Sequence, residues 1–197
     1  IGATAAANRL LAARAADFEP VLPGDRGSYR WRGFDVVYAE LGDPGDQDLV
    51  LLHGIHAAAS GHEYWAVASD LAEDYHVLIP DLPGFGHSDR PGLFYSASLY
   101  MTFVGDFLAD TTDEPPIVVA SSLTGSYAAG AARDLDLAGL VLICPSGGVS
   151  DRRRRWLRSL LRSPLVGQAL FNVIASKPSI RHFHADHGVT DISRIPA

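Results

Sequence analysis

The chain has 197 residues, 47% of them hydrophobic and 20% charged, with a single cysteine, which excludes a disordered tail, a fibre and a disulfide-stapled fold. A net charge of −7 argues against general nucleic-acid binding, and no run of about 18 apolar residues offers a membrane-spanning helix. The average conceals two unlike parts: residues 1–147 hold seven Arg against twenty acids, whereas residues 148–197 hold eight Arg and one Lys against three Asp.

The Ala-rich opening, Ile1–Ala16, reads as a surface helix, the alternative being the tail of a signal or anchor segment. Because the chain starts at Ile1 rather than Met, residues are expected to precede it. Ser28–Trp31 and Phe34–Leu41 read as two strands of a hairpin turning at Gly33, and Gly42-Asp43-Pro44-Gly45 as a turn. Leu49–Leu52 is a short, wholly apolar strand, as expected for one buried on both faces. A helix near Glu63–Ala72, a strand at Tyr75–Pro80 and a loop rich in Gly, Pro and Asp follow. Ser96–Asp110 carries apolar residues at a period near 3.6 and predicts a helix. Ile117–Ala120, Ser122–Asp134 and Leu137–Cys144 read as strand, helix and strand. From Ser150 onward, Asp151–Arg162, Pro164–Ser176 and Pro178–His184 read as short helices with no further strand. The alternation predicts an α/β fold, a mostly parallel sheet with helices on both faces. Three parts are expected: an N-terminal helix and linker (1–26), the sheet core (27–149) and a helical cap (150–197).

Three motifs occur in order. Leu51-Leu52-His53-Gly54-Ile55-His56 ends a buried strand, and its glycine lets the backbone turn sharply so that N–H groups point into a cleft. Pro80-Asp81-Leu82-Pro83-Gly84-Phe85-Gly86-His87-Ser88-Asp89 follows the next strand. Val119-Ala120-Ser121-Ser122-Leu123-Thr124-Gly125 joins a strand directly to a helix, with small residues around a serine, the pattern of a strained strand-to-helix turn that exposes a nucleophile. Ser122 is the expected nucleophile and Ser121 the neighbouring alternative.

With these motifs the chain resembles the α/β-hydrolase family, over about Ser28–Cys144 and more loosely in the cap. Ala120 and Thr124 stand where the family usually has glycine. The resemblance implies that Ser122 attacks a carbonyl carbon, that the backbone N–H groups of Ile55 and Leu123 form the oxyanion hole, and that His53 and Gly54 shape its turn. It also implies a small-molecule acyl substrate, no cofactor and no metal. A serine at this place argues against the dehalogenase and epoxide-hydrolase chemistry that uses Asp there. The family sets its acid and its histidine on loops after two further strands, and no such segment lies between Ser150 and Ala197. The strand Leu137–Cys144 is therefore expected to present an apolar edge, covered by residues beyond the chain or by a second chain.

Other residues carry simpler readings. Asp81 reads as structural, tying the Gly84–Gly86 loop. His182, His184 and His187 read as a solvated surface rather than a metal site, and Asp151 as a poor substitute for the acid. Cys144 reads as a small buried residue. Arg152–Arg162 groups Trp156, Leu157, Leu160 and Leu161 on one side of a basic helix. It reads first as a cap helix that packs its apolar face over the cleft and solvates its arginines; together with the apolar N-terminus, the alternative is an anionic membrane surface. Two functions remain in view: a hydrolase of ester-like substrates, and a non-catalytic protein of the same fold that binds a ligand or lipid.

Overall fold

The computed structural model describes residues 2–13, 22–56, 58–147 and 165–174, with isolated positions beyond them. These residues divide into two compact units, one within Phe18–Gly148 and one drawn from Ile1–Asp17 and Val149–Ala197. No helix among the described residues is long and apolar enough to cross a membrane.

The first unit is a six-stranded sheet in the order β1-β2-β4-β3-β5-β6. Strands β1 (Asp25–Trp31) and β2 (Phe34–Leu41) form an antiparallel hairpin whose two-residue turn is Arg32-Gly33. Both turn residues have positive φ, the geometry whose twist suits flanking strands. β2 also pairs antiparallel with β4 (His76–Pro80). β3 (Asp48–Leu52) lies parallel between β4 and β5 (Ile117–Ser121), and β6 (Gly139–Ile143) extends the parallel part. The sheet is mostly parallel, as the alternating pattern predicts.

Because side chains alternate along a strand, each central strand feeds two cores. Val50, Leu52, Leu78 and Val118 join one core with Phe103 and Phe107 of helix α3 (Ala97–Thr111). Leu49, Leu51, Val77 and Ile79 join the other with Tyr64 and Ala68. The N-terminal cap of α3 is Ser96, whose Oγ accepts the Leu99 N–H at 3.2 Å. The indole of Trp31 and the phenol of Tyr29 donate to Asp106 (2.7 Å) and Asp110 (2.6 Å), binding the hairpin to α3.

Two expectations are corrected. The helix expected near Glu63–Ala72 is a 3-10 turn at Gly61–Tyr64 followed by a single α-turn at Ala68–Leu71, here α2. Gly61 N–H donates to Asp81 and Tyr64 hydroxyl to the Leu52 carbonyl. The segment is thereby tied down at both ends of the 3-10 turn before a longer helix can form. Cys144 is exposed rather than buried, because β6 ends at Ile143 and the backbone turns left-handed at Cys144 (φ +44°). β6 is also the sheet's edge among the described residues, with Val141, Leu142 and Ile143 exposed.

The second unit holds helices α1 (Gly2–Ala13) and α5 (Val166–Ile174), the fourth helix, α4 (Ser122–Ala131), belonging to the sheet unit. Asn8 joins the pair, donating to the Leu165 carbonyl at 3.4 Å and accepting from Asn172 at 3.1 Å. Asp151–Arg162, His184 and His187 lie outside the described residues.

His76, at the start of β4, is a buried ion-pair centre: Nδ1 meets Asp48 at 2.7 Å and Nε2 meets Glu40 at 3.1 Å. Burial alone would lower its pKa, but the hydrogen bonds and charges of Asp48 and Glu40 outweigh burial and raise it. A raised folded-state pKa gives stability that is complete below the unfolded value and is lost as pH rises through the folded one. Urea midpoints of the wild type should therefore fall, as pH rises from the usual histidine value upward, more steeply than those of His76→Gln. Parallel pH profiles would contradict this charge assignment.

Candidate active site

Three loops meet at the carboxyl ends of β3, β4 and β5. At the end of β5 the chain passes from Ser121 straight into α4, and Ser122 takes φ +52°. For a residue other than glycine this left-handed backbone costs about 1 kcal/mol or more. The turn lifts the Ser122 side chain off the strand line at the amino end of α4, where the first-turn N–H groups, Leu123's among them, have no carbonyl within the helix to bind. Ser122 Oγ lies 3.4 Å from Ser146 Oγ, and the Ser146 N–H donates to the Ser122 carbonyl at 3.1 Å. Ser121 is buried in the strand.

The turn after β3 faces this junction. A Cβ on Gly54 would sit 3.2 Å from the Ser122 Cβ, so the glycine sets how closely the two loops approach. The polar groups at His53 and Gly54 are committed. The His53 carbonyl accepts from Thr124 Oγ1 at 2.7 Å. The Gly54 N–H donates to Glu63 Oε2 at 2.7 Å, and the Gly54 carbonyl receives His53 Nδ1 at 2.7 Å. The Ile55 N–H makes no protein hydrogen bond among the described residues. Ile55 and Leu123 thus present two backbone donors on the loops that flank Ser122.

His53 is fully buried, and its Nε2 accepts the Leu82 N–H at 3.0 Å. The two ring bonds assign the proton to Nδ1, and burial lowers the pKa below the usual histidine value. A neutral imidazole with both nitrogens engaged serves as a brace between two loops rather than as a base. Among the described residues, the side chain that Ser122 Oγ meets is that of Ser146.

Asp81 braces the third loop. One carboxylate oxygen accepts from Gly61 N–H at 2.7 Å and the other from His87 N–H at 2.8 Å. Gly86 has φ +48°, and a Cβ there would fall 2.1 Å from the Asp81 carboxylate, so the motif needs glycine on both counts. Ser88 Oγ donates to the Asp81 carbonyl at 2.6 Å and accepts the Val37 N–H at 2.9 Å. The spaced Asp, Gly and Ser residues thus build a rigid wall that carries Phe85 against His53, ring centroids 5.5 Å apart.

Two residues were missed by sequence reasoning. Thr124 looked like a departure from glycine, yet its hydroxyl links the elbow helix to the β3 turn. Glu63 was assigned to an ordinary helix, yet its side chain reaches the same turn. No local pattern marks either one, since each acts on a loop distant in sequence. No group of three or more His, Cys, Asp or Glu among the described residues is arranged to hold a metal.

A model of the alpha/beta hydrolase family matches residues 49–194. Lipase 1 of Psychrobacter immobilis is 41% identical over 59 residues, 30% of this chain and 18% of that protein. The 2-hydroxy-6-oxo-6-(2'-aminophenyl)hexa-2,4-dienoic acid hydrolase of Metapseudomonas resinovorans is 24% identical over 145 residues, 72% of this chain and 49% of that one. The crystal structure of a putative lipase from Acinetobacter baumannii AYE superposes with a TM-score of 0.63 at 23% identity, covering 82% of this chain and 52% of that one. The chain therefore spans about half, or less, of the length of the curated relatives named here.

The Thr124 bond gives a direct test. Thr124→Val keeps the shape but leaves the buried His53 carbonyl unpaired, which should cost about 1–3 kcal/mol in urea denaturation, with Thr124→Ser nearer the wild type. Equal stability of all three proteins would mean the bond contributes nothing.

Proposed function

The chain belongs to the alpha/beta hydrolase family, and from that premise we propose that it hydrolyses an ester-like or related acyl substrate through Ser122. The observation that carries the reading is the left-handed Ser122 between β5 and α4, flanked by the N–H groups of Ile55 and Leu123, which have no acceptor among the described residues. In this reading Ser122 Oγ bonds to the carbonyl carbon, and its proton passes to a histidine base outside the described residues. The carbonyl oxygen becomes an oxyanion held by the two N–H groups. Collapse of the tetrahedral intermediate breaks the bond to the leaving group, which takes the proton. Water then attacks the acyl-enzyme by the same route and restores Ser122. Fixed donors of this kind stabilise the developing charge by about 3–4 kcal/mol each.

A fluorophosphonate probe should label the full chain covalently, and Ser122→Ala should abolish labelling. Turnover of a short p-nitrophenyl ester should fall about a thousandfold or more in the same variant. Labelling that survives the substitution would reject Ser122 as nucleophile.

A second reading concerns the basic part of the chain. Helix α5 carries no charged residue and exposes Val166, Leu170, Phe171, Val173 and Ile174. The sequence from residue 148 on has a charge of +6. An apolar helix face within a cationic stretch suits the surface of an anionic membrane, where each Lys or Arg contributes about 1 kcal/mol. At low salt the protein should co-sediment with phosphatidylserine vesicles and not with phosphatidylcholine alone, and Val173→Glu should weaken the binding. Failure to pellet with either lipid would reject this role.

A further inference from the structure

Among the described residues, Glu63 is the carboxylate that hydrogen-bonds the turn carrying Ile55. The 3-10 turn that bears it is held from three sides. Gly61 N–H donates to Asp81, Tyr64 hydroxyl donates to the Leu52 carbonyl at 2.9 Å, and Glu63's own N–H donates to the Ser60 carbonyl at 3.2 Å. From this base Oε2 reaches the Gly54 N–H at 2.7 Å. The same point in space, a Cβ on Gly54, would lie 3.5 Å from Glu63 Oε2, 3.5 Å from Ser121 Oγ and 3.2 Å from Ser122 Cβ. A negative charge is therefore fixed across one glycine from Ser122.

Among the described residues, no arginine is placed to offset that charge. The unit within Phe18–Gly148 contains five arginines against nineteen acids. Arg30 and Arg32 pair with Asp35 and Asp106, and Arg90 bonds the Gly86 carbonyl. Among the described residues, none of the five makes an ion pair or hydrogen bond with the Ser122 junction or the His53–Ile55 turn.

We infer that Glu63 is a specificity-determining residue: its carboxylate excludes acyl groups that carry a negative charge near the reacting carbonyl and leaves the site to neutral or cationic ones. The inference rests on the Ser122 reading. Glu63 acts twice on the same turn. As an acceptor it fixes the Gly54 peptide and so the direction of the next N–H, that of Ile55. As a charge it raises the energy of any anion brought to the turn. The oxyanion of the reaction is opposed too, but it gains two backbone donors, whereas a carboxylate elsewhere on the acyl chain gains none.

Glu63→Gln separates the two actions, because the amide oxygen still accepts the Gly54 N–H while the charge is gone. The full chain would be assayed with p-nitrophenyl butyrate and with the mono-p-nitrophenyl ester of succinate, an acyl group of similar length ending in carboxylate. The ratio of kcat/KM for the anionic ester to that for the neutral one should be below unity in the wild type. It should rise about three- to tenfold in Glu63→Gln, and added salt should raise the wild-type ratio more than the variant's. A purely structural role would change both esters alike and leave the ratio unmoved, and that result would overturn the inference. Ser122→Ala tests the underlying reading separately: hydrolysis of both esters should vanish. Hydrolysis that persists there, or a wild type that turns over neither ester, would overturn the Ser122 reading and this inference with it.

Discussion

Ser122 holds a backbone conformation that L-residues avoid, and the loops around it are built so that it can. The left-handed turn needs room, which Gly54 leaves by having no side chain on the facing loop. It also needs restraint, which comes from both directions. Thr124, one half-turn into α4, bonds the β3 turn, and Ser146, beyond β6, bonds the Ser122 carbonyl. Local strain of about 1 kcal/mol or more persists only where the surroundings over-determine it, and here the β3 turn, α4 and the segment after β6 contribute to the determination.

The same loops are joined by a buried polar chain with little slack. His53 links Gly54 to Leu82, and Asp81 links the 3-10 turn to the Gly84–Gly86 loop. Ser88 then links that loop to β2. Each buried donor meets an acceptor, so the network costs no unpaired group along this path, and a fully satisfied network of this kind rigidifies what it joins. Its consequence for chemistry is a set of fixed donors. The bonds at His53 and Gly54 hold the β3 turn, and among the described residues the Ile55 N–H has no protein acceptor.

Much of this could be read from the sequence, and the physical reasons are particular. The strands were legible because those buried on both faces are short apolar runs, as Leu49–Leu52 is. The hairpin was legible because Arg32-Gly33 interrupts an alternating pattern. The Asp81–Asp89 loop was legible because its glycines mark places where backbone and carboxylate crowd together, as at Gly86. Periodicity failed at Glu63–Ala72, where tertiary hydrogen bonds from Gly61 and Tyr64 favour a 3-10 turn. It failed again at Cys144, where an apolar neighbourhood suggested burial but an edge strand supplies none. Thr124 and Glu63 were illegible for a different reason: their partners lie 71 and 9 residues away, and no spacing rule connects a side chain to a loop it meets only in the folded chain.

The edge strand β6 shows how exposure and function are tied in this fold. An apolar edge invites association, and among the described residues β6 is the edge strand, with Val141, Leu142 and Ile143 exposed. Yet the strand cannot be shortened without loss elsewhere. Its register sets Ile143 beside Ser121, and only from there does the chain, through the left-handed Cys144, bring Ser146 to within 3.4 Å of the Ser122 hydroxyl. Ser126 then secures that approach by donating to the Ser146 carbonyl at 2.8 Å. The apolar edge is the support on which one side of the Ser122 environment is built. A polar substitution chosen there to suppress association keeps the backbone pairing that delivers Ser146, because strand side chains project from the sheet faces and the bonds to β5 are made by the backbone.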